Sequence, residues 1–324
     1  MPYPIITPDY YGELTDKSNL QNENVEYLVL TSPAAVEYVF KLNNERVIHT
    51  LMNAKKPIAY RMTSLQPELE EEYSKKGQEL IDKTPILKHY WNLKILTMNI
   101  IQDRSFVFEK RMLLLNYAYK TVQGIIDKGR EELIPQFVAD YTNAPHHNDI
   151  MEYFKEIKPG FGFSMGEAIS LLSALPESED MSKLRWSVYK NAGIPHGTTS
   201  FEYSDEKYLP LKKAYHEDFL KGREHYIENV MVNYVWSYCM PFADYNMSVW
   251  DNFVFFNVLF NLIKVTLTCY TYDREDKDEA FAFVIKTLDT ALQVSRGNTA
   301  RHIAETLKNQ GYNNNGDMAI LSMS

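Results

Sequence analysis

A polar quartet, Gln102-Asp103-Arg104-Ser105, separates two strongly apolar stretches, and its residue types are able to do chemistry at close spacing. Both flanking stretches have helical patterns, so the quartet forms a corner between two helices. Arg104 in such a corner would serve to clamp an anion or a carboxylate. We favour the alternative that the quartet caps helix ends. Asp103 or Ser105 would then bind free amides of the next helix, and Arg104 the carbonyls of the preceding one.

Two later helices carry polar stripes on otherwise apolar surfaces. The stripes contain Asn229, Asn233 and Ser237, with Tyr234 on the adjoining core face, and then Asn257, Asn261, Lys264 and Thr268. Because these spacings place the residues of each stripe on one helix face, the two stripes together would line a polar cavity if they faced each other. We favour the interpretation that they face water or bond between helices, since amphipathic helices carry polar stripes by default.

Other motifs give weaker indications. The segment 160–166 spells G-x-G-x-x-x-G, which is similar to the glycine loop of nucleotide-fold methyltransferases, but a charged helical pattern precedes it instead of a buried strand. His146 and His147, near Asp149 and Glu152, lack the spacing of a zinc site. No nucleophile motif is present in the sequence. We therefore assign no catalytic residue and expect no metal site.

The composition limits the function. A formal net charge of -9 over 324 residues argues against a nucleic-acid-binding protein, since neutralising phosphates needs a basic surface. The two cysteines, Cys239 and Cys269, fall in apolar helical patterns, as in a reduced cytosolic protein. The N-terminus has no signal-peptide pattern, and we interpret the apolar segment Phe253–Tyr270 as a core helix because it contains polar residues. We expect a cytoplasmic protein that does not contact membranes.

Helical periodicity dominates from residue 84 onward. The predicted helices are Pro85–Gln102, Phe108–Lys128, Glu131–Tyr141, Asn148–Ile157, Met165–Leu175, Met181–Asn191, Leu209–Met240, Ser248–Tyr270, Lys277–Ser295 and Thr299–Asn309. The acid-rich segment Leu65–Lys76 predicts a solvated helix or a linker.

The first sixty residues have a different pattern. Val25–Leu30 predicts a strand, and Ser32 followed by proline predicts the start of a short helix over Ala34–Leu42. Arg46–Met52 and Ile58–Met62 predict extended pieces that form a hairpin.

The expected fold is mainly α, a helical bundle-like body with a small mixed α/β N-terminal portion. We expect the mixed portion over residues 1–64 and the helical domain over residues 65–311, with a subdomain seam near the polar loop 193–203. The Asn-rich residues 312–324 predict a flexible tail.

Several short motifs, taken in order, resemble the flagellin lysine N-methylases of bacteria, the FliB type. The motifs are LTSPAA at residues 30–35, IQDRS at 101–105 followed by RMLLL at 111–115, IENVMVNYV at 227–235 and LIK at 262–264. They are similar to that family's Leu-Ser-Cys-Pro-Glu-Ala-Ala segment, its Gln-Asp-Arg corner before a leucine-rich helix, its Glu-Asn-Tyr-Leu-Val-Asn-Tyr helix and the apolar helix that follows. The resemblance covers most of residues 25–311.

The resemblance implies S-adenosylmethionine as methyl donor and flagellin as protein partner. It also implies a cysteine-rich N-terminal segment with an iron–sulfur cluster, which needs thiolate ligands. Here Ser32 stands where a family cysteine aligns, so we expect no iron–sulfur cluster in this chain alone. We expect either a truncated sequence or a relative that kept the helical body and lost activity.

Two function classes therefore compete. The leading hypothesis is a lysine N-methylase-like protein, a protein-lysine N-methyltransferase if it is active. The alternative is a non-catalytic helical module that binds a protein or peptide through tyrosine-rich grooves. A small-molecule sensor that uses the polar stripes is a third hypothesis. The sequence does not indicate the oligomeric state.

Overall fold

The computed structural model describes residues 3–15, 25–143, 147–195, 205–294 and 299–324, in which a four-stranded sheet joins a large helical body. The strands are β1 (Pro4–Pro8), β2 (Tyr27–Thr31), β3 (Val36–Phe40) and β4 (Tyr60–Ser64). Their order is β2-β3-β1-β4, with β1 parallel to β3 and the other two pairs antiparallel. The mixed N-terminal portion is confirmed.

The helical body confirms the mainly α fold class. Its helices in the described residues are α1 (Tyr11–Thr15), α2 (Glu45–Asn53), α3 (Pro67–Lys83), α4 (Tyr90–Ile101), α5 (Phe108–Asp127), α6 (Ile134–Asn143), α7 (His147–Phe154), α8 (Phe161–Ala174), α9 (Glu179–Ala192), α10 (Asp205–Ala214), α11 (Glu224–Ser237), α12 (Val249–Tyr270), α13 (Lys277–Val294), α14 (Thr299–Asn309) and α15 (Asn315–Met323). Short 3-10 helices, Pro85–His89 and Glu131–Leu133, precede α4 and α6, and a π-helical stretch, Tyr215–Leu220, follows α10.

The predicted strand at Val25–Leu30 is confirmed as β2, whereas the predicted helix over Ala34–Leu42 is wrong, since β3 occupies its centre. The Ser32 hydroxyl accepts the amide hydrogens of the two residues at 34 and 35, as an N-cap does, but the chain continues into a strand. The β-branched and aromatic residues of β3 favour a strand, and β3 pairs with a neighbouring strand on each side.

The predicted extended piece Arg46–Met52 is also wrong, since these residues lie in α2. The Asn44 side chain accepts the amide of Arg46 at 2.9 Å and caps this helix. Val47, Ile48 and Leu51 share its buried face. The predicted hairpin is absent from the described sheet, because β4 pairs with β1 and not with a neighbouring segment.

The predicted long helix Leu209–Met240 is divided in the structure. The π-helical stretch widens it, and Gly222, with a φ of 80°, ends it before α11 begins. Glycine reaches this left-handed backbone region without the steric penalty of a Cβ atom.

Helix α12 lies at the centre of the body. It is long and apolar enough to cross a membrane, the only such helix in the described residues, and its most apolar stretch is wholly buried inside the protein. It packs against α5, α8, α9, α13, α14 and α15. The prediction of a core helix is confirmed.

Residues 312–324, predicted as a flexible tail, contain α15 in the structure. Asn314 caps this helix by accepting the amide of Asp317 at 3.0 Å. Met318 and Leu321 are fully buried against the body. The asparagines that predicted disorder include the helix cap, so that prediction is wrong. The predicted seam near 193–203 falls mostly outside the described residues, and the division at residue 64 stays a prediction.

Candidate functional site

A cavity of about 870 Å³ opens beside the corner between α4 and α5. The start of α5, the end of α7, the π-helical stretch and the first turns of α11 bound it. Charged or titratable side chains line it from several of these elements, namely Arg104, Glu109, Lys110, Arg111, Lys155, Lys212, His216, Glu224, His225 and Glu228. Sites for small molecules in proteins have volumes of roughly 300–1,000 Å³. The cavity is therefore of a suitable size for a small ligand or a substrate side chain.

Glu228 is a buried carboxylate that two guanidinium groups hold in the wall of this cavity. Arg104 donates from Nη2 to Oε1 at 2.7 Å and from Nε to both carboxylate oxygens at 3.0 Å. Arg111 donates from Nη1 to Oε2 at 2.7 Å. The Glu228 side chain is 1% exposed and that of Arg104 is 34% exposed. Arg104 thus clamps a carboxylate, but this carboxylate belongs to the protein itself.

The other polar residues of the corner close a turn between the helices. Asp103 Oδ1 accepts the amide hydrogen of Ser105 at 3.0 Å and its hydroxyl at 2.5 Å. Gln102 donates from Nε2 to the carbonyl of Ile58 at 2.9 Å, which ties the corner to the segment before β4. Helix α5 begins at Phe108 without a side-chain cap, so the expected capping of α5 by Asp103 or Ser105 is wrong.

Arg111 has the role that the capping interpretation gave to Arg104. Its guanidinium donates to the carbonyl of Ile101 at 2.7 Å and to that of Phe106 at 2.8 Å. It thereby holds the end of α4 while it also binds Glu228. A cation at a helix C-terminus is favourable because the last carbonyls lack partners within the helix.

The stripe on α11 fixes this helix to the N-terminal portion. Asn229 donates from Nδ2 to the carbonyls of Leu51 and Ala54 at 2.7 and 2.8 Å. Asn233 donates to the carbonyl of Phe40 at 3.1 Å and accepts from a tyrosine hydroxyl, that of residue 10. Tyr234 is 1% exposed and lies in the core.

The stripe on α12 points to different partners. Asn257 donates to the carbonyl of Met318 at 2.8 Å, and Asn261 donates to that of Ser164 at 2.9 Å. Lys264 donates from Nζ to the carbonyls of residues 321 and 322 at 3.3 and 3.1 Å. The interpretation that the stripes bond between elements is confirmed, and that of one shared polar cavity is wrong.

Glu109 and His216 are two titratable groups of the cavity wall, and the charge of Glu109 affects the pKa of His216. Burial lowers the pKa of His216; the Glu109 carboxylate opposes this shift, and the ammonium groups of Lys212 and Lys264 add to it. His216 is therefore neutral near pH 7, since its pKa lies below the ordinary 6.5. Burial, opposed by Glu109, likewise lowers the pKa of Lys212.

Lys264 lies behind this wall, wholly buried. Burial lowers its pKa to about 7, although the nearby Glu109 carboxylate raises it. Lys212, whose own ammonium donates to the carbonyl of Met323 at 3.0 Å, adds to the lowering. One carboxylate thus acts on the protonation of three basic side chains that come from three different elements.

The candidate residues chosen from the sequence are dispersed in the structure. Arg104 is the one that lines the cavity, whereas the asparagines and Lys264 bind backbone carbonyls elsewhere. Sequence reasoning missed Glu109, Lys212 and Glu228, and it considered His216 only as a metal ligand that lacked a second histidine at the required spacing. A charged residue inside the apolar run 226–236 is a signal that would have identified Glu228. The Gly222 break would have indicated that residues before it change direction.

Gly160, the first glycine of the motif at 160–166, has a packing role in the structure. A Cβ atom at Gly160 would lie 2.7 Å from Ile320, so only glycine permits α15 to approach the start of α8 this closely. Helix α8 begins at Phe161, directly after that contact, and the element that precedes it is α7 and not a strand. The prediction that this motif does not hold a cofactor stays a prediction.

Cys239 and Cys269 do not fit an iron–sulfur cluster. Neither forms a disulfide, and burial raises the pKa of Cys269 to about 12, which disfavours the thiolate that a cluster needs. In the described part of the chain no three His, Cys, Asp or Glu residues group together as metal ligands. His146, considered with His147 as a metal pair, lies outside the described residues.

Comparison with known proteins identifies one family. The profile of the FliB lysine N-methylase C-terminal domain matches residues 94–321, which is more than half of the chain. No curated protein and no solved structure matches the sequence significantly. The matched residues include all of the cavity wall except Met323.

Proposed function

The chain belongs to the FliB lysine N-methylase family through the C-terminal domain at residues 94–321, and from this premise we propose that it methylates protein lysine side chains in the cavity beside Arg104. The resemblance implies S-adenosylmethionine as the methyl donor and flagellin or a similar protein as the substrate, both of which we adopt. We propose a cytoplasmic location for this reaction.

The observation that carries the proposal is the presence of Glu109 and His216 in the wall of one cavity. A lysine side chain arrives as an ammonium ion, which the Glu109 carboxylate attracts. Its nitrogen becomes a nucleophile only after it loses a proton. His216 is neutral near pH 7, because burial holds its pKa below the ordinary value, and we assign its unprotonated imidazole nitrogen as the acceptor of that proton.

The cavity wall also suits a methyl donor. When bound, S-adenosylmethionine would supply a methyl group on a cationic sulfur: an uncharged amine nitrogen would bond to the methyl carbon as the carbon–sulfur bond breaks, and the sulfur would leave as a neutral thioether. The rings of Phe106, Phe108 and Phe260 offer flat apolar surface for an adenine base, and the carboxylates of Glu109 and Glu224 offer negative charge for the sulfonium. The wall thus has both kinds of group that such a donor needs.

Arg104 and Arg111 act on the shape of the site and not on the proton. Both donate to Glu228, whose charge is thereby neutralised, so Glu228 does not compete with Glu109 for the substrate cation. We derive no role for an iron–sulfur cluster, because Cys239 and Cys269 do not fit one.

Methyl transfer by the purified chain tests this proposal. Flagellin is incubated with S-adenosylmethionine, and lysine methylation is measured by mass spectrometry for the unmodified chain and for His216→Gln. We expect methylated lysine, with the rate reduced about a hundred-fold or more in the variant, as for loss of a general base. Glu217→Gln is the matched control, since this neighbouring side chain is 63% exposed and outside the cavity wall.

The alternative of a non-catalytic binding module makes a different prediction. Flagellin would then bind the chain, with no methyl group transferred by either form. Binding without transfer would overturn the enzymatic proposal and support the binding module. Equal rates for His216→Gln and the unmodified chain would leave methylation in place but remove His216 from it.

A further inference from the structure

A second cavity, about 510 Å³, lies on the other side of α7 from the first. We name it the aromatic pocket and define it by its rings and carboxylates, Tyr117, Phe137, Tyr141, Tyr153, Asp140 and Asp149. The pocket combines aromatic surface with negative charge, and no lysine or arginine is among the described residues that line it.

The rings of the pocket meet at steep angles. Phe137 and Tyr141 have ring centroids 5.6 Å apart at 50°, and Tyr117 and Tyr153 have centroids 6.3 Å apart at 69°. His147 lies 5.5 Å from Tyr141 at 46°. Tyr153 is 61% exposed, so part of its ring surface remains open to a ligand. An uncovered aromatic face carries negative potential and attracts a cation.

Hydrogen bonds hold two of the rings in place before any ligand binds. The Tyr141 hydroxyl donates to the carbonyl of Leu114 at 2.9 Å. Asn315 donates to the Tyr153 hydroxyl at 3.3 Å, although the Tyr153 residue is 61% exposed. Rings fixed in this way lose little freedom on binding, which favours affinity.

We propose that the aromatic pocket binds the alkylammonium group of a methylated lysine in a protein. This deepens the proposed function, since methylated lysine is the product of that reaction. Methylation keeps the positive charge but adds apolar surface and weakens hydration, so the ion gains more from aromatic rings than an unmethylated ammonium does. The Asp140 and Asp149 carboxylates complement the same charge.

Helix α7 relates the two cavities. Met151 and Phe154 face the first cavity, whereas Ile150 and Tyr153 face the aromatic pocket. An α-helix with its side chains is roughly 10–12 Å wide. A methylated lysine bound in the aromatic pocket would therefore keep its polypeptide within about one helix width of the first cavity. A second lysine of the same polypeptide would then reach that cavity more readily.

Binding of small probes tests this inference without any methyl transfer. The full chain is titrated with the blocked amino acids trimethyl-lysine, lysine and norleucine, and affinity is followed by NMR. We expect trimethyl-lysine to bind most tightly and neutral norleucine least. Tyr153→Leu, which keeps an apolar side chain but removes the ring, should weaken trimethyl-lysine binding about two- to five-fold. Tyr153→Phe, which keeps the ring, should retain it.

Two controls separate folding from recognition. Tyr153 is largely exposed, so its variants should keep the circular dichroism spectrum of the unmodified chain. Tyr272→Ala removes a ring that is 48% exposed and outside the pocket, and it should leave binding unchanged. Equal affinity for norleucine or for unmodified lysine, or no loss in Tyr153→Leu, would overturn the inference. Because no methyl donor is present, these results are independent of whether the chain is an active methylase.

Discussion

Arg104 and Glu228 lie 124 positions apart in the sequence and are joined by a hydrogen bond of 2.7 Å from Nη2 to Oε1. The same arginine donates to the carbonyl of Lys55 at 2.5 Å, so it ties α11 both to the α4–α5 corner and to the N-terminal portion. Arg111 reaches Glu228 from the other side. The wall of the first cavity is therefore set by one buried carboxylate shared between two guanidinium groups.

Neutralising Glu228 should destabilise the protein. Glu228→Gln leaves two guanidinium groups without their carboxylate, and loss of one partner from a buried pair costs about 3–5 kcal/mol. We expect urea unfolding to show a fall of this order in the free energy of unfolding. Glu224→Gln makes the same exchange of a carboxylate for a carboxamide at an exposed residue one turn earlier in α11. It should change the free energy of unfolding by less than about 1 kcal/mol. Similar losses in both variants would contradict a special role for Glu228.

The two arginines should differ in their effect on stability. The Arg111 side chain is 6% exposed and that of Arg104 is 34% exposed. Water screens an exposed ion pair more than a buried one, so Arg111→Met should lower the free energy of unfolding by more than Arg104→Met does. The reverse order in urea titrations would indicate that Arg104 is the main partner of Glu228.

The pKa of His216 should respond to its charged neighbours in opposite directions. Removing the carboxylate in Glu109→Gln should lower it further, since an adjacent anion favours the imidazolium. Removing the ammonium in Lys212→Gln should raise it. NMR titration of the imidazole protons measures both shifts, with Lys213→Gln as the control because this side chain is 72% exposed. An unchanged pKa in Glu109→Gln would separate Glu109 from His216 and weaken the proposed site.

Methylation should depend on pH through the same imidazole. The neutral form accepts the proton, so the rate should fall as the pH drops through the lowered pKa of His216, below 6.5. In His216→Gln the remaining slow rate should lose this acidic limb. The methylation rate of flagellin, measured against pH for the unmodified chain and for His216→Gln, checks the expectation. The same fall in rate at acidic pH in both proteins would show that another group causes it.

Lys264 should make the protein more stable as the pH rises from neutral. Its folded pKa of about 7 lies below the ordinary 10.5, so between these values the unfolded chain binds one more proton than the folded chain. The free energy of unfolding should rise by about 1–2 kcal/mol between pH 7 and 8.5. The Lys264 contribution should be absent in Lys264→Met and retained in Lys308→Met, an exposed control. If the free energy of unfolding changed equally with pH in the two variants, the lowered pKa of Lys264 would be contradicted.

Helix α15 should be necessary for stability. Leu321 is fully buried, and replacing a core leucine with alanine costs about 2–5 kcal/mol. Leu321→Ala should therefore lower the midpoint of urea unfolding markedly, whereas Lys308→Ala on the preceding helix should barely change it. A small effect at Leu321 would favour the flexible tail that the Asn-rich sequence suggested.

The sequence was sufficient where one local pattern dominates. The period of the apolar residues identified most of the helices from residue 84 onward, and the ordered motifs indicated the family that residues 94–321 match. The same reasoning was wrong at Ala34–Leu42, because a cap-like Ser32 is compatible with a helix or a strand and the pairing of β3 decided between them. It was also wrong at α15, whose burial depends on distant α5, α8 and α12.

The residue types and their order therefore determined the fold class and the resemblance, since both depend on patterns within single segments. Only the tertiary structure decided the site. It brought Glu109, Lys212 and His216 together from two separate parts of the chain, and it gave Arg104 a partner that lies 124 positions away. Sequence spacing carries no information on which helix faces meet, because that depends on packing across the whole body. The pKa of His216 follows from the same packing, since burial and neighbouring charges are properties of the folded chain.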